Sequence, residues 1–263
     1  HILKLESNNS IAQIAGFAYS GDRFSNIIHH VDHISGDGAG FAVFGEQLDH
    51  IHNAIQTANK ATGFVKILTS NTKNIQLTHI TNEIHDYIGP APFIDDLYHK
   101  QEQTTISDIT NTIDSITATT TTIGSFISRL MLQHDSACPQ SPLLTIKYIQ
   151  NTIHNMSVPY VIKKDIEGNV GGFIGNIIHY QPSFSYIQEQ CQDATPPAVI
   201  DISHIISQID TLDLMNYGSG FIGTLELQFL PMSPYDLIDT IPNQLLPTLN
   251  IKNVLSIANI ISH

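Results

Sequence analysis

The sequence predicts that the fold is organised around Ser35–Gly45, which reads SGDGAGFAVFG. Alternate glycines beside Asp37 favour a tight turn, because glycine adopts positive φ angles without steric strain. The apolar run FAVF that follows is typical of a short buried strand, and Gly45 ends it. A preceding apolar run, Ile11–Ala18, predicts a second strand that pairs with it in one sheet.

The composition indicates a packed interior beneath an unusually uncharged surface. Of the 263 residues, 41% are hydrophobic and 13% are charged, which disfavours disorder. The net charge is −13 with only 11 Lys and Arg. We therefore expect an acidic protein without a nucleic-acid partner, because phosphate binding requires clusters of cationic side chains. The 14 histidines make the surface charge sensitive to acidification.

The sequence leaves two locations open: the protein is either cytoplasmic or exported after processing. No apolar run is long enough to span a bilayer, so the chain is expected to be soluble. Cys138 and Cys191 are the only cysteines, and two thiols fit either a single disulfide or a reducing compartment.

Apolar spacing predicts helices over much of the remaining chain. Gln47–Lys60 carries apolar residues at helical spacing. Between Ile106 and Leu130 they recur at intervals of three and four, which is a heptad pattern. This pattern predicts one long helix or, as we favour, two helices broken at 119–122 and packed on a sheet. Further helices are predicted over Leu143–Asn155, Ser203–Leu214 and Asn250–Ile261.

The predicted strands complete an α+β fold. Strands are expected at Phe64–Leu68, Ala198–Ile202 and Phe221–Leu227, whereas Ile75–Ile88 fits either a strand or a helix. Two apolar segments, 160–164 and 171–178, predict a β-hairpin with Glu167–Asn169 at its tip. We expect a helix-covered β-sheet, for which an αββα sandwich is one arrangement. Residues 1–230 form the main domain, 231–263 form a C-terminal extension, and no repeat with a solenoid period is evident.

The order of these elements resembles that of class II glutamine amidotransferases, which have the N-terminal-nucleophile hydrolase fold. The resemblance covers residues 12 to about 178, and it is carried by Ile14–Phe17, by the turn Asp37–Gly40 and by the elements after them. It implies a helix-covered fold without amidotransferase activity. Ala12 stands where the family has its nucleophilic cysteine, and Lys66–Thr69 replaces the glutamine-binding arginine loop. The resemblance thus implies a pseudoenzyme.

The densest group of potential metal ligands is His29-His30-Val31-Asp32-His33. If residues 26–34 are helical, then His29, Asp32 and His33 lie on one face, with a spacing that suits Zn²⁺. Asp49, His50 and His52 are candidates to complete the coordination shell. The alternative is a polar helix face in a histidine-rich chain. No cofactor other than zinc at this cluster is implied.

Cys138 is a candidate thiolate nucleophile, with His154 or His179 as its base. The alternative is an inert or disulfide-bonded Cys138. Taken together, these patterns favour a non-catalytic binding or assembly subunit that contacts other protein subunits. The alternative function is an amide or ester hydrolase, and metal assistance at the His/Asp cluster is one version of it.

Overall fold

A computed structural model describes residues 2–6, 14–69, 74–99, 103–120, 122–133, 143–158, 170–181, 199–214, 218–229 and 248–262. These residues consist almost entirely of β-strands and contain no helix. The expected α+β fold with a helix-covered sheet is therefore wrong. Strands also occupy the described parts of the five segments that apolar spacing predicted to be helical: 47–60, 106–130, 143–155, 203–214 and 250–261.

The largest sheet, called the long sheet below, contains eight parallel strands. In spatial order they are β1 (Ile2–Glu6), β3 (Arg23–Ser35), β6 (Gln47–Asn59), β8 (Ile75–Gly89), β10 (Gln103–Ala118), β13 (Leu143–Val158), β16 (Val199–Leu214) and β19 (Thr248–Ser262). The last strand, which falls inside the predicted extension 231–263, therefore belongs to the same sheet as the strands before it.

A second sheet of six parallel strands contains β5 (Ala42–Gly45), β7 (Val65–Thr69), β9 (Ile94–His99), β12 (Ile127–Gln133), β15 (Ile174–Gln181) and β18 (Ile222–Phe229). Two small sheets are built from very short strands. One pairs β2 (Ile14–Ala15) with β4 (Gly38–Ala39), and the other contains β11 (Ile123–Gly124), β14 (Val170–Gly171) and β17 (Gly218–Ser219).

Strands of the two large sheets alternate along the chain, so that the chain winds repeatedly from one sheet to the other. We call one such turn a coil. Each strand pairs with the equivalent strands of the preceding and following coils. This winding is that of a parallel β-solenoid, in which each repeat contacts only its neighbours. The expectation that no solenoid repeat exists is therefore wrong. The repeat is irregular in length, because equivalent asparagines lie 29, 29 and 40 residues apart.

Five long strands, β6, β8, β10, β13 and β16, repeat one eleven-residue pattern of buried positions, seen in β6 as Leu48, Ile51, Asn53, Ile55 and Ala58. The alternation expected of a strand is interrupted twice. One interruption is a residue with positive φ, which is His50 in β6. As a result, the buried apolar residues recur at intervals of three, four and three, with a polar residue between the middle two. This spacing imitates a helix and explains why the helical interpretation failed.

Phenylalanine and asparagine side chains repeat from coil to coil in the interior. The rings of Phe41, Phe64, Phe93, Phe126, Phe173 and Phe221 form a continuous stack with centroids 4.7–5.2 Å apart. Beside them, buried Asn53, Asn82, Asn111 and Asn151 form a ladder of amide hydrogen bonds, each 2.7 Å long. The ladder satisfies polar groups that would otherwise be costly to bury.

Short strands were predicted better than long ones. The strands expected at 64–68 and 221–227 are confirmed by β7 and β18, and 75–88 is a strand. The predicted hairpin finds no support, because both edges of β15 pair with parallel strands; its other segment, 160–164, and its tip lie outside the described residues. None of the described residues forms a helix that is long and apolar enough to cross a membrane.

Candidate functional site

Seven strands of the long sheet carry one residue with positive φ at the same register position. Their φ angles lie between 52° and 57°, and all seven residues are exposed. We call this row the turn ridge: Asn26, His50, His79, Asp108, Tyr148, His204 and Asn253. Asn, Asp and His are the non-glycine residues that adopt this conformation most readily, so the fold selects short polar and imidazole side chains along one exposed line.

His50 and His79 occupy adjacent positions on the ridge and share a carboxylate. Their rings stack with centroids 4.4 Å apart at an interplanar angle of 22°. His50 Nδ1 lies 2.8 Å from Asp49 Oδ2, and His79 Nδ1 lies 2.9 Å from Asp49 Oδ1. Thr78 Oγ1 donates a further hydrogen bond of 2.7 Å to Asp49 Oδ1. The two histidines share a φ angle of 52°, and their Nδ1 atoms contact the two oxygens of one carboxylate.

The hydrogen bonds around Asp49 keep it ionised. Burial by itself would raise the pKa of Asp49, but the hydrogen bonds donated by the two histidines and Thr78 hold this pKa well below its usual value. An ionised carboxylate only accepts hydrogen bonds, so both histidines carry a proton on Nδ1. The cluster therefore combines one fixed negative charge with two imidazoles.

Tyr148 is the exception on the turn ridge, because positive φ is unfavourable for a bulky side chain. Its ring contacts that of His204, with centroids 4.9 Å apart, and Lys147 Nζ lies 5.6 Å from the Tyr148 centroid. His204 in turn lies 3.2 Å from Asn253 through its Nε2 atom. Strained residues of this kind cluster at binding sites, where the surroundings hold them in place.

An exposed apolar surface continues from Tyr148 across the neighbouring strands. Ile206 pairs in register with Leu255, and Ile257 faces outward two residues further along β19. Tyr148, Ile206, Leu255 and Ile257 are each 47–54% exposed. We call these four residues the apolar patch. Lys147 and Lys252 lie beside it, at one register position on strands two coils apart.

The structure separates most of the residues that the sequence predicted as metal ligands. His29 faces the interior, where its Nδ1 atom donates to Asn53 Oδ1 over 2.7 Å. Asp32 pairs with His30 at 2.9 Å, and His33 Nδ1 lies 2.7 Å from Thr57 Oγ1. The helical premise for residues 26–34 is wrong, because they belong to β3.

The three other candidate ligands, Asp49, His50 and His52, lie on the next coil. His52 lies on the outward face of β6, in register with Ile28 and Thr81. His50, together with Asp49, belongs to the ridge cluster. The cluster therefore contains two of the six predicted ligands, Asp49 and His50, in a new arrangement with His79.

The predicted catalytic pair is not brought together by described residues. Cys138 lies outside them, so its role as a nucleophile remains a prediction, and His179 lies in β15. His154 is exposed on β13, and its Nδ1 atom lies 2.7 Å from Asp210 Oδ2. Its Nε2 atom lies 3.9 Å from Asp114 Oδ1.

The six-stranded sheet carries a separate charged cluster. Arg129 Nε lies 2.6 Å from Asp96 Oδ1, and its Nη2 atom lies 2.8 Å from Asp96 Oδ2. Asp95 is 3.9 Å from the same guanidinium. Burial, reinforced by repulsion from Asp96, raises the pKa of Asp95 to about 6. One carboxyl group here therefore exchanges its proton near neutral pH.

Sequence reasoning missed His79 and the apolar patch because both depend on the coil register. His50 and His79 are 29 residues apart in sequence but occupy equivalent positions of the repeat. The signal that reveals this repeat is a phenylalanine preceded by Gly, Pro or Ser and followed by Ala, Val or Ile, as at Phe41, Phe64 and Phe93. Aligning the chain on this motif brings the two histidines together.

Comparisons with protein-family models, with curated proteins and with solved structures find no match to this chain. They do not test the resemblance to class II glutamine amidotransferases, which remains a prediction. The helix-covered fold that this resemblance implies is, however, wrong. The function must therefore be argued from the geometry of the solenoid surface.

Proposed function

We propose that the protein is a non-catalytic binding protein that docks a protein partner on the apolar patch. The observation that supports this proposal is the continuous exposure of Tyr148, Ile206, Leu255 and Ile257 on the outward face of the long sheet. Contiguous apolar side chains exposed on a protein surface are typical of protein-interaction sites. Tyrosine is also enriched among the residues that dominate binding energy.

The energetics of the patch favour docking. Each of the four side chains is about half exposed, and removing that half from water contributes about 1 kcal/mol per side chain. The patch rests on paired strands, so little ordering of this protein opposes binding. Tyr148 keeps an unfavourable backbone conformation that costs about 1–3 kcal/mol, which is consistent with selection for its exposed ring.

The charges beside the patch define the chemistry of the partner. Lys147 and Lys252 flank the patch in a chain with only 11 Lys and Arg and a net charge of −13. Carboxylates on a partner would be attracted to this local positive potential, whereas the rest of the surface repels them. The proposed partner is therefore an apolar protein segment that carries acidic residues.

The hydrolase alternative receives less support from the geometry. Its metal-assisted version required His29, Asp32 and His33 to hold one ion, and these side chains face different parts of the molecule. We therefore retain the binding function and do not propose a reaction.

Peptide display against the purified chain tests the proposal. A random 16-residue library should yield apolar, acidic peptides whose affinity falls at least about 10-fold, equivalent to 1.4 kcal/mol, in Ile206→Lys. Ile28→Lys is the matched control, because Ile28 is 87% exposed and shares the register position of Ile206 five coils away. Failure to enrich peptides, selection of basic peptides, or equal binding by both variants would contradict the proposal.

A further inference from the structure

The cluster of Asp49, His50 and His79 lies on β6 and β8, away from the apolar patch, and it supports a separate inference. One ligand atom from each of these residues lies within 4.8 Å of the others. We propose that the three side chains form a binding site for a divalent transition-metal ion of the zinc class. The proposal does not depend on the docking function.

The shared backbone conformation preorganises the two imidazole ligands. His50 and His79 both have φ angles of 52°, and their rings stack in nearly parallel planes. Both Nδ1 atoms therefore approach the same carboxylate from neighbouring coils. β6 and β8 pair over most of their length, which holds the two ridge positions at the separation of adjacent strands.

The ligand types select the class of metal. Two imidazole nitrogens and one carboxylate oxygen suit Zn²⁺, Cu²⁺ or Ni²⁺, whereas Mg²⁺ and Ca²⁺ require mainly oxygen ligands. Three protein ligands leave a fourth position for water or another small ligand. Binding would require the proton that each Nδ1 atom now donates to Asp49 to move to the Nε2 atom of the same ring, which leaves both Nδ1 atoms and the carboxylate as ligands.

Thr78 acts as a positioning residue for the carboxylate. Its hydroxyl donates to Asp49 Oδ1, the oxygen that also accepts from His79. This hydrogen bond fixes the orientation of the carboxylate without occupying the imidazole nitrogens. Outer hydrogen bonds of this kind typically change metal affinity by about 10–100-fold.

Calorimetric titration of the tag-free protein with ZnCl₂, NiCl₂ and MgCl₂ tests the site. His79→Asn should weaken the tightest Zn²⁺ binding at least about 10-fold, because Asn keeps the left-handed backbone but removes an imidazole. His204→Asn is the matched control on the same ridge and should bind as the native chain does. Mg²⁺ should give no comparable binding.

Electron paramagnetic resonance with Cu²⁺ supplies a readout of the ligands themselves. The native chain should show hyperfine coupling to two imidazole nitrogens, and His79→Asn should show coupling to one. Thr78→Val should lower the affinity about 10-fold while both nitrogens remain. Unchanged Zn²⁺ affinity in His79→Asn, an equal loss in His204→Asn, or one nitrogen in the native spectrum would overturn the proposal.

Discussion

Asn82 Nδ2 donates a hydrogen bond of 2.7 Å to Asn111 Oδ1 across the boundary between two coils. Both side chains are fully buried, and the same bond joins the asparagines of the preceding and following coils. Each amide thus serves as donor to the next coil and acceptor from the previous one. The ladder fixes the register between coils. The turn ridge and the apolar patch depend on that register, because each is built from residues of several coils.

Replacement of a ladder residue should therefore be costly. Asn111→Ala would leave the Asn82 donor and the Asn151 acceptor without their partners. At about 1–3 kcal/mol for each of these two unsatisfied groups, the free energy of unfolding should fall by about 2–6 kcal/mol. Urea denaturation measures this change. Asn155→Ala removes an exposed amide and should change stability by less than about 0.5 kcal/mol; equal effects would contradict the role of the ladder.

The phenylalanine stack should be most sensitive at its centre. Phe126 is fully buried between Phe93 and Phe173, so Phe126→Ala should destabilise the protein by about 3–5 kcal/mol. Phe17 also stacks on its neighbour, Phe41, but is 47% exposed. Phe17→Ala should therefore lower the free energy of unfolding clearly less than Phe126→Ala does, as measured by thermal or urea denaturation. A larger loss at Phe17 would show that the stack is not the core described above.

Asp95 should make stability fall as the pH rises from about 4 to 6. Its pKa is about 6 in the folded protein against an ordinary value of 3.8, so in this window the folded state binds a proton that the unfolded state has lost. This difference in pKa lowers the free energy of unfolding by about 3 kcal/mol above pH 6. Asp95→Asn should recover part of this energy at pH 8 and very little at pH 3. Urea denaturation of both proteins at pH 3 and pH 8 measures the stabilisation by Asp95→Asn. A stabilisation that is greater at pH 3 than at pH 8 would contradict the burial of this carboxyl group.

Tyr148 should show opposing effects on stability and binding. Tyr148→Asn replaces a strained aromatic residue by one that tolerates positive φ, so stability should stay equal or rise by about 1 kcal/mol. Binding of patch-selected peptides should weaken, because the exposed ring is lost. The reverse substitution on the same ridge, Asn26→Tyr, should lower stability. A stability loss in Tyr148→Asn would indicate that the ring serves mainly the fold.

The sequence predicted those elements whose signal is local. Short runs such as Phe64–Leu68 follow a glycine, because a Cβ atom on Gly63 would overlap the carbonyl oxygen of Pro92 in the next coil. The long strands were misassigned because two interruptions and a buried asparagine convert their alternation into helix-like spacing. In β10, Ile106, Ile109, Ile113 and Ile116 are all buried in this way.

The candidate sites depend on longer-range information. His50 was among the predicted ligands, but its partner His79 comes from another coil and was not recognised. The apolar patch joins residues of β13, β16 and β19, and only the inter-coil register places them side by side. A propensity scale evaluates residues near each other in sequence, so it cannot supply that register.

Distances along one outward row test the solenoid most directly. Ile28, Gln150, Ile206 and Leu255 share a register position, and the last three lie four, five and six strands from Ile28. With Cys138 and Cys191 replaced by serine, spin labels at Ile28 and at each of the other three positions report these distances in pulsed electron paramagnetic resonance. Parallel coils predict backbone separations of about 19, 24 and 29 Å, rising by about 4.8 Å per coil. Distances that do not increase in this order and by equal steps would contradict the account.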